Sequence, residues 1–428
     1  MTREELPPAD AARSPMRVAI GCVTAQSVTE VALGAYLLSL PLGQAAPVWL
    51  RELLLLAIIF SLAIGQWKST PSAVPPYRLL PFAGLVALSQ ALSIATSSNP
   101  SLSLSASLYT PFAALIFLAA QQVMISPEAW RRLGVVFLGL IGMLGVDGTY
   151  QTLTGVSLFG DQPTFAERTR GSIPHPNDIA LVPLLAPFAL AAVAGRRSRI
   201  VAWVGALCLP LAAVTLIGSS SRTAWLGTAV AVAVWGLLAG RRRIGVTVLV
   251  SLAASFGLAL VLDVVGIRER LLNPEIGGRL GLWRVAWQMF TEAPLLGQGV
   301  HVFDDFYPSY LDRVSLPEGY TPETGYVPWA HNIYLELLAE RGLLGFASFA
   351  ALVGAMLGRV VSAARRGGRE HRLYTAALGA SVGSFLAMGM LDLTFLKDWV
   401  LLLFWLLAAL CARISLCFEP ADVATRER

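Results

Sequence analysis

Apolar runs of about 20 residues, the length that crosses a bilayer as a helix, recur along the chain and constrain its fold more than any other feature. The composition agrees, since 55% of the residues are hydrophobic and 14% are charged. The sequence therefore predicts an all-α polytopic membrane protein. The twelve candidate spans are Val18–Leu42, Pro47–Gly65, Leu79–Thr96, Leu104–Val123, Leu133–Leu153, Ile179–Val193, Ile200–Ile217, Thr223–Leu238, Ile244–Val265, Leu343–Ala363, Tyr374–Leu393 and Trp399–Leu416.

The distribution of arginine and lysine predicts how these spans are oriented. Cytoplasmic loops of membrane proteins carry an excess of basic residues, and the strongly basic loops at 195–199 and 240–243 alternate with less basic ones. This pattern places both termini in the cytoplasm and explains the net charge of +5 without a nucleic-acid partner. The expected order is a cytoplasmic tail (1–17), spans one to nine (18–265), an external segment (266–332), spans ten to twelve (333–418) and a cytoplasmic tail (419–428).

Two external loops carry polar residues that suit chemistry. The loop 160–178 holds Arg170, His175 and Asn177, and prolines on both sides of the histidine stiffen its backbone. An ordinary connector with a helix cap at Asn177 would explain the end of this loop but not its arginines. A short turn places Arg222 at the start of the eighth span, where an arginine needs an anionic partner or an aqueous cavity. Snorkelling towards lipid headgroups is the alternative explanation for Arg222.

The segment 266–332 is the largest external piece of the chain. Trp283, Trp287 and Phe290 recur in it at helical spacing. This spacing predicts an amphipathic helix that lies in the membrane interface, with Arg284 on its other face.

A polar loop from Tyr307 to Pro328 leads to His331 at the membrane surface. The loop has no hydrophobic period, and we interpret it as a lid. Asn332 follows and is a candidate N-cap for the next helix, while His301 lies earlier in the same segment. A lone loop histidine is most often a solvated surface residue, so the interest of His331 comes from the arginines predicted on the same side.

Together these residues indicate phosphate chemistry at the membrane surface. Arginines bind phosphate oxygens through charge-assisted hydrogen bonds, and histidine is suited to remove a proton from a hydroxyl at neutral pH. We interpret the combination as transfer of a group from a lipid-linked phosphate or pyrophosphate donor to a hydroxyl acceptor. The chain has no zinc-binding, nucleophilic-serine or phosphate-loop motif, so we predict neither a metal site nor a cofactor.

Four motifs occur in order on the predicted external side. They are Arg170-Gly-Ser-Ile-Pro-His-Pro-Asn177, Ser221-Arg-Thr-Ala-Trp225, Arg284-x-x-Trp287 followed by Pro294-Leu-Leu-Gly-Gln-Gly299, and His331-Asn332 with Glu340-x-Gly342-x-x-Gly345. With these motifs the chain resembles the O-antigen ligase and polymerase superfamily of bacterial membrane glycosyltransferases over most of its length. The resemblance implies a GT-C-like fold in the inner membrane, with the segment 266–332 in the periplasm.

The resemblance also implies a reaction and a role for individual residues. Arg222 and Arg284 would bind the pyrophosphate of an undecaprenyl-pyrophosphate-linked glycan, and His331 would deprotonate the acceptor hydroxyl. Transfer would be metal-independent and would invert the anomeric carbon. The secondary candidates are Arg170 and His175 in the donor wall, and Asn177, His301 and Asn332 as supporting residues.

The acceptor distinguishes the members of this superfamily. An O-antigen ligase uses a sugar of lipid A-core, a polymerase extends another lipid-linked repeat unit, and a protein O-oligosaccharyltransferase modifies a serine. The short stretch after the last span favours the ligase, and the other two stay open as alternatives.

A transporter for a lipid-linked glycan is the alternative of another class. It would need charged residues inside the spans, where Glu30, Asp147 and Asp263 are the main ones. Whether Asp392, at the external end of the eleventh span, belongs to an active site stays open from the sequence.

Overall fold

The computed structural model describes residues 27–37, 39, 57, 78–159, 163–195, 198–240, 242–262, 275–316, 318, 322–323 and 326–417. Within these ranges the protein is helical, with two isolated β-bridges near 156–168 and no β-strand. The prediction of an all-α protein is therefore confirmed for this part of the chain. Part of the first predicted span, nearly all of the second, Asp263 and both predicted tails lie outside the described residues.

From the third span onward, most helices follow the predicted spans. The predicted fourth span is instead divided between two helices, and the helix of the tenth span begins ten residues before its predicted start. The bounds of the helices are α1 Leu80–Ala95, α2 Pro100–Ala106, α3 Thr110–Val123, α4 Pro127–Thr154, a 3-10 turn Pro176–Ala180 that leads into α5 Leu181–Ala194, α6 Arg199–Gly218, α7 Arg222–Leu238, α8 Arg242–Val261, α9 Glu275–Glu292, α10 Phe303–Leu311, α11 Ile333–Ala364, α12 Arg369–Gly389 and α13 Asp398–Arg413. Residues 27–37 are also helical.

Within the described part of the chain, five helical stretches are long and apolar enough to cross a membrane. They are Pro100–Val123, Pro127–Thr154, Pro176–Ala194, Arg199–Gly218 and Ile333–Ala364. The protein is thus consistent with a multi-pass membrane protein, and the count of twelve spans stays a prediction.

Side-chain caps fix the two helix starts that carry candidate residues. The hydroxyl of Ser221 accepts a hydrogen bond from the backbone N–H of Ala224 at 3.3 Å, so α7 begins directly at Arg222. The Oδ1 atom of Asn332 accepts from two N–H groups of the first turn of α11, at 3.0 and 3.1 Å. Such caps satisfy backbone donors that have no partner within the helix. The predicted capping role of Asn332 is confirmed.

The main core forms around α12, which packs against α5, α7, α11 and α13. Small residues let these helices approach closely, as is common between helices in membranes. The hydroxyl of Ser381 donates to the carbonyl of Leu184 at 2.6 Å, and that of Ser384 donates to the carbonyl of Gly227 at 2.7 Å. These buried bonds hold α12 against α5 and α7, which carry the two predicted external loops on their N-terminal ends.

A second, smaller core joins α9 and α10 to the start of α11. On α9, Leu282, Val285, Ala286 and Met289 are completely buried in it, whereas Trp287 is 52% exposed. The exposed indole suits the predicted position of α9 in the membrane interface. The predicted loop from Tyr307 to Pro328 is wrong in its first part, because α10 extends to Leu311.

The helix α11 is broken at Gly342, where φ is 61° and ψ is −165°. The break lies one residue before the predicted start of the tenth span, and the turn 293–299 that follows α9 inserts against it. Four backbone hydrogen bonds of 2.8 to 3.1 Å join the two segments, with N–H donors from Leu343 to Pro294, Leu344 to Leu295, Gln298 to Ala339 and Gly299 to Glu340. Two of the four sequence motifs therefore meet in one structural joint, which sets the position of α11 relative to α9.

We expect Gly342→Ala to destabilise the folded protein. The backbone angles of Gly342 lie in a region that is nearly restricted to glycine, where other residues cost about 1–3 kcal/mol. An added Cβ would also lie 2.4 Å from the backbone of Leu295. Thermal unfolding in detergent measures the effect. Gly354→Ala in the same helix is the matched control, because an added Cβ there meets no heavy atom within 4 Å. Equal melting temperatures for the two variants would contradict the prediction.

Candidate active site

A small cleft opens where the loop before α5, the start of α7, the N-terminal part of α9 and the loop after α12 come together. Its lining residues are Arg168, Asn177, Ser220, Arg222, Thr223, Arg279 and Leu391. Three of these residues are arginines from three separate segments. Guanidinium groups that converge in this way suit a ligand with several anionic oxygens.

Arg168 connects two walls of the cleft. Its Nε donates a hydrogen bond to the carbonyl of Ser219 at 2.8 Å, and a terminal guanidinium nitrogen donates to Oδ1 of Asn177 at 2.5 Å. The first bond reaches the turn before α7, and the second reaches the loop before α5. The arginine therefore fixes the position of Arg222, at the start of α7, relative to Asn177.

Arg279 connects the cleft to the loop after α12. It donates a short hydrogen bond to the carbonyl of Leu391, and its guanidinium lies 3.9 Å from Oδ1 of Asp392. Sequence reasoning selected Arg284 on this helix, but Arg284 does not line the cleft. The sequence contained a signal for Arg279. It lies three residues before Leu282 and seven before Ala286, so it falls on the same buried face of the helix.

His331 lies against Asp392, the residue that follows the cleft-lining Leu391. Its Nδ1 is 2.5 Å from Oδ1 of Asp392, and the aspartate side chain is only 3% exposed. A carboxylate at this distance favours the tautomer in which Nδ1 carries the hydrogen and donates it. The other ring nitrogen, Nε2, then has a free lone pair and can accept a proton. Nε1 of Trp329 is 3.3 Å from the same Nδ1, but a protonated nitrogen cannot accept its hydrogen, so Trp329 acts by packing.

Nearby charges keep Asp392 ionised. Burial alone would raise the pKa of this carboxyl, but Lys397, the hydrogen bond from His331 and Arg279 more than offset the burial, and the pKa is lowered well below its usual range. An ionised Asp392 can orient the imidazole of His331 and stabilise it when it becomes protonated. The sequence left the role of Asp392 open, because the aspartate is 61 residues away from His331 in the chain.

The backbone of His331 adopts a left-handed conformation, with φ at 52°. This region is unfavourable for a residue with a Cβ, by roughly 1–2 kcal/mol. The strain falls directly before the capping residue Asn332, and the bond between His331 and Asp392 lies at the same point. Strained residues of this kind cluster at functional sites.

Arg170 and His175 lie in the loop before α5 and do not line the cleft. The guanidinium of Arg170 donates to the carbonyls of Pro163 and Pro174 at 3.1 and 2.9 Å, which braces the loop. Nδ1 of His175 accepts a hydrogen bond from the N–H of Asn177 at 3.1 Å, and burial lowers its pKa. Both features indicate a neutral imidazole that caps the 3-10 turn. Their predicted place in the donor wall stays a prediction.

The supporting candidates divide between the cleft and its surroundings. Asn177 lines the cleft, whereas Asn332 caps α11 and donates from its amide to the carbonyl of Met390 at 3.2 Å. His301 follows the turn at the Gly342 joint, and burial lowers its pKa. Among the residues that the structure describes, no group of three His, Cys, Asp or Glu side chains is placed to hold a metal ion.

The comparison with protein families matches the region that contains this site. A family model described as O-antigen ligase matches residues 206–350, a stretch that contains Arg222, Arg279, Arg284 and His331. No curated protein matches the chain. Residues 206–350 are therefore similar to the O-antigen ligase family, which supports the resemblance of the chain to the O-antigen ligase superfamily.

Proposed function

We propose that the protein is an O-antigen ligase. It would transfer a glycan from undecaprenyl pyrophosphate to a sugar hydroxyl of lipid A-core on the periplasmic face of the inner membrane. The observation that supports this most strongly is the junction at Arg279, which lines the three-arginine cleft and also lies 3.9 Å from Asp392, the partner of His331. The proposed anion site and the proposed base are therefore adjacent.

Donor binding is assigned to the arginine cleft. The pyrophosphate would accept hydrogen bonds from Arg222 and Arg279, with Arg168 and Asn177 holding the opposite wall. Their guanidinium groups would also stabilise the negative charge that develops on the leaving pyrophosphate. For this reason the proposed reaction needs neither a metal ion nor a separate general acid.

The chemical step is a single displacement. The acceptor hydroxyl oxygen attacks the anomeric carbon, and Nε2 of His331 takes the hydroxyl proton. The bond between that carbon and the phosphate oxygen breaks, and its electron pair leaves with undecaprenyl pyrophosphate. Attack from the face opposite the leaving group inverts the anomeric configuration, and Asp392 stabilises the imidazolium of His331 that forms.

The transporter alternative finds little support in Glu30 and Asp147, the two predicted intramembrane acids that the structure describes. Oδ1 of Asp147 accepts hydrogen bonds from the hydroxyl of Ser157 and the N–H of Leu158, at 2.8 and 2.7 Å. Glu30 forms an ion pair with Arg132. Asp147 thus holds a loop and Glu30 joins two helical segments, which are structural roles.

Reconstitution of the purified protein tests the proposed function. We expect incubation with undecaprenyl-pyrophosphate glycan in EDTA to give a glycosylated lipid A-core only when lipid A-core is added. A ladder of longer lipid-linked chains without that acceptor would identify a polymerase instead. Transfer to a serine-containing protein would identify an oligosaccharyltransferase. Loss of all transfer in EDTA, with recovery on adding Mg²⁺, would contradict the metal-independent step.

A further inference from the structure

Lys397 lies at the start of α13, between the cleft wall and the residues around His331. Its Nζ is 2.9 Å from Oδ1 of Asp178, and both side chains are largely buried, with 15% and 8% exposed. Asp178 directly follows Asn177, which lines the cleft. The ion pair therefore ties the end of the loop that carries Asp392 to one wall of the arginine cleft.

The same ammonium group also reaches the segment that carries His331. Nζ of Lys397 lies 5.3 Å from the centroid of the Trp329 ring, a distance at which a cation and an aromatic face attract each other. Trp329 in turn packs edge-on against the imidazole of His331, with 5.7 Å between ring centroids. The ammonium group of Lys397 thus contacts Asp178, next to the arginine cleft, and Trp329, next to His331.

We propose that Lys397 is a positioning residue that holds the His331–Asp392 pair in register with the arginine cleft, through its contacts with Asp178 and Trp329. The inference rests on the transfer reaction proposed above. The loop has a separate brace, since the hydroxyl of Thr394 donates to Oε1 of Glu336 at 2.7 Å. Because this hydrogen bond already holds the loop against α11, holding the loop in place is not the only role left for Lys397.

The ammonium of Lys397 stays charged in its buried position. Burial would lower its pKa, but the carboxylates of Asp178 and Asp392 more than offset this effect and raise the pKa. Its charge therefore acts on Asp392, the partner of His331, as well as on Asp178. Asp392 is in direct contact with His331, and Lys397 and Arg279 act on Asp392. Lys397 and Asp392 also act on His175, together with Asp178 and Arg168.

We expect the two members of the ion pair to have opposite effects on the pH dependence of transfer when each is removed by itself. Lys397→Met removes a positive charge beside Asp392 and Asp178, so we expect the acid limb of kcat/KM to move to higher pH. Asp178→Asn removes a negative charge beside Lys397, so we expect the same limb to move to lower pH. The double variant should return the limb close to that of the wild type, because the charge balance is restored.

The rate provides a second measurement. We expect Lys397→Met to lower kcat by roughly 10- to 100-fold, the order of loss caused by small misplacement of reacting groups, with donor binding retained. Lys397→Arg, which keeps the charge, should recover part of this loss. Arg131→Gln is the matched control, because it breaks the ion pair with Glu370 that joins α4 to α12 and contacts none of the cleft residues.

Melting temperatures in detergent separate misfolding from mispositioning. If both Lys397→Met and Arg131→Gln lower the melting temperature but leave kcat and the pH profile unchanged, Lys397 is only structural and the proposal is overturned. Shifts of the acid limb in the same direction for Lys397→Met and Asp178→Asn would overturn it as well. Absence of transfer by the wild-type protein would instead overturn the proposed function itself, and the role of Lys397 with it.

Discussion

His331→Ala should lower kcat for glycan transfer by about 10²- to 10⁴-fold, the contribution of a well-placed general base. The donor should still bind, because the arginine cleft does not include His331. Steady-state transfer with purified donor and acceptor gives kcat, and binding of a fluorescent undecaprenyl-pyrophosphate glycan gives the dissociation constant. A large loss of donor affinity would place His331 in the binding site and remove it as the base.

Asp392→Asn tests whether the two side chains act as a unit. An amide keeps the size of the side chain but no longer favours a hydrogen on Nδ1 of His331, and the corresponding change in a Ser-His-Asp triad costs about 10⁴-fold. We expect a similarly severe loss for Asp392→Asn, and little further loss when it is combined with His331→Ala. Residues that work together show this strong non-additivity. Fully additive effects would mean that Asp392 acts independently of His331.

Arg279→Gln should lower kcat/KM for the donor by about 10²- to 10³-fold, the cost of removing one charge-stabilising donor from a preorganised site. Arg279 lines the cleft and also approaches Asp392, so its loss affects both the leaving group and the base. The same assay at varied donor concentration separates lost donor binding, which raises KM, from lost stabilisation of the transition state, which lowers kcat.

Arg284→Gln is the matched comparison, because it makes the same chemical change on the same helix, five residues further along. Five residues rotate a side chain by about 140° around a helix axis, and Arg284 lies outside the cleft lining. We expect a much smaller loss for this variant than for Arg279→Gln. The reverse order would restore the role that the sequence resemblance gives to Arg284.

Much of the helical framework could be predicted from the sequence. Apolar runs gave the helices from the third span onward to within a few residues at most ends, because hydrophobic length is a local property. The starts at Arg222 and after Asn332 were predictable for the same reason, since a capping side chain bonds to N–H groups two or three residues away. Prediction was less accurate where an apolar period is weak, as at Phe303–Leu311, which forms α10.

The composition of the site required the tertiary structure. The partners His331 and Asp392, Asp178 and Lys397, and Arg279 and Leu391 are each separated by 61 or more residues. Each pair forms because α12 and α13 bring the loop 390–397 against the N-terminal parts of α5, α9 and α11. The same packing decided that Arg279 lines the cleft and that Arg170 braces a loop.

The sequence by itself determined the helical class, the capped start of α11 at Asn332, the start of α7 near Arg222, and the presence of arginines and histidines on one predicted side. These features follow from hydrophobic length, local hydrogen bonding and charge distribution, which depend on neighbours in the chain. Only the tertiary structure decided which arginines share a cleft, which nitrogen of His331 is free and which lysine contacts both halves of the site. Distances between side chains from separate helices depend on how those helices pack, and no local pattern contains that information.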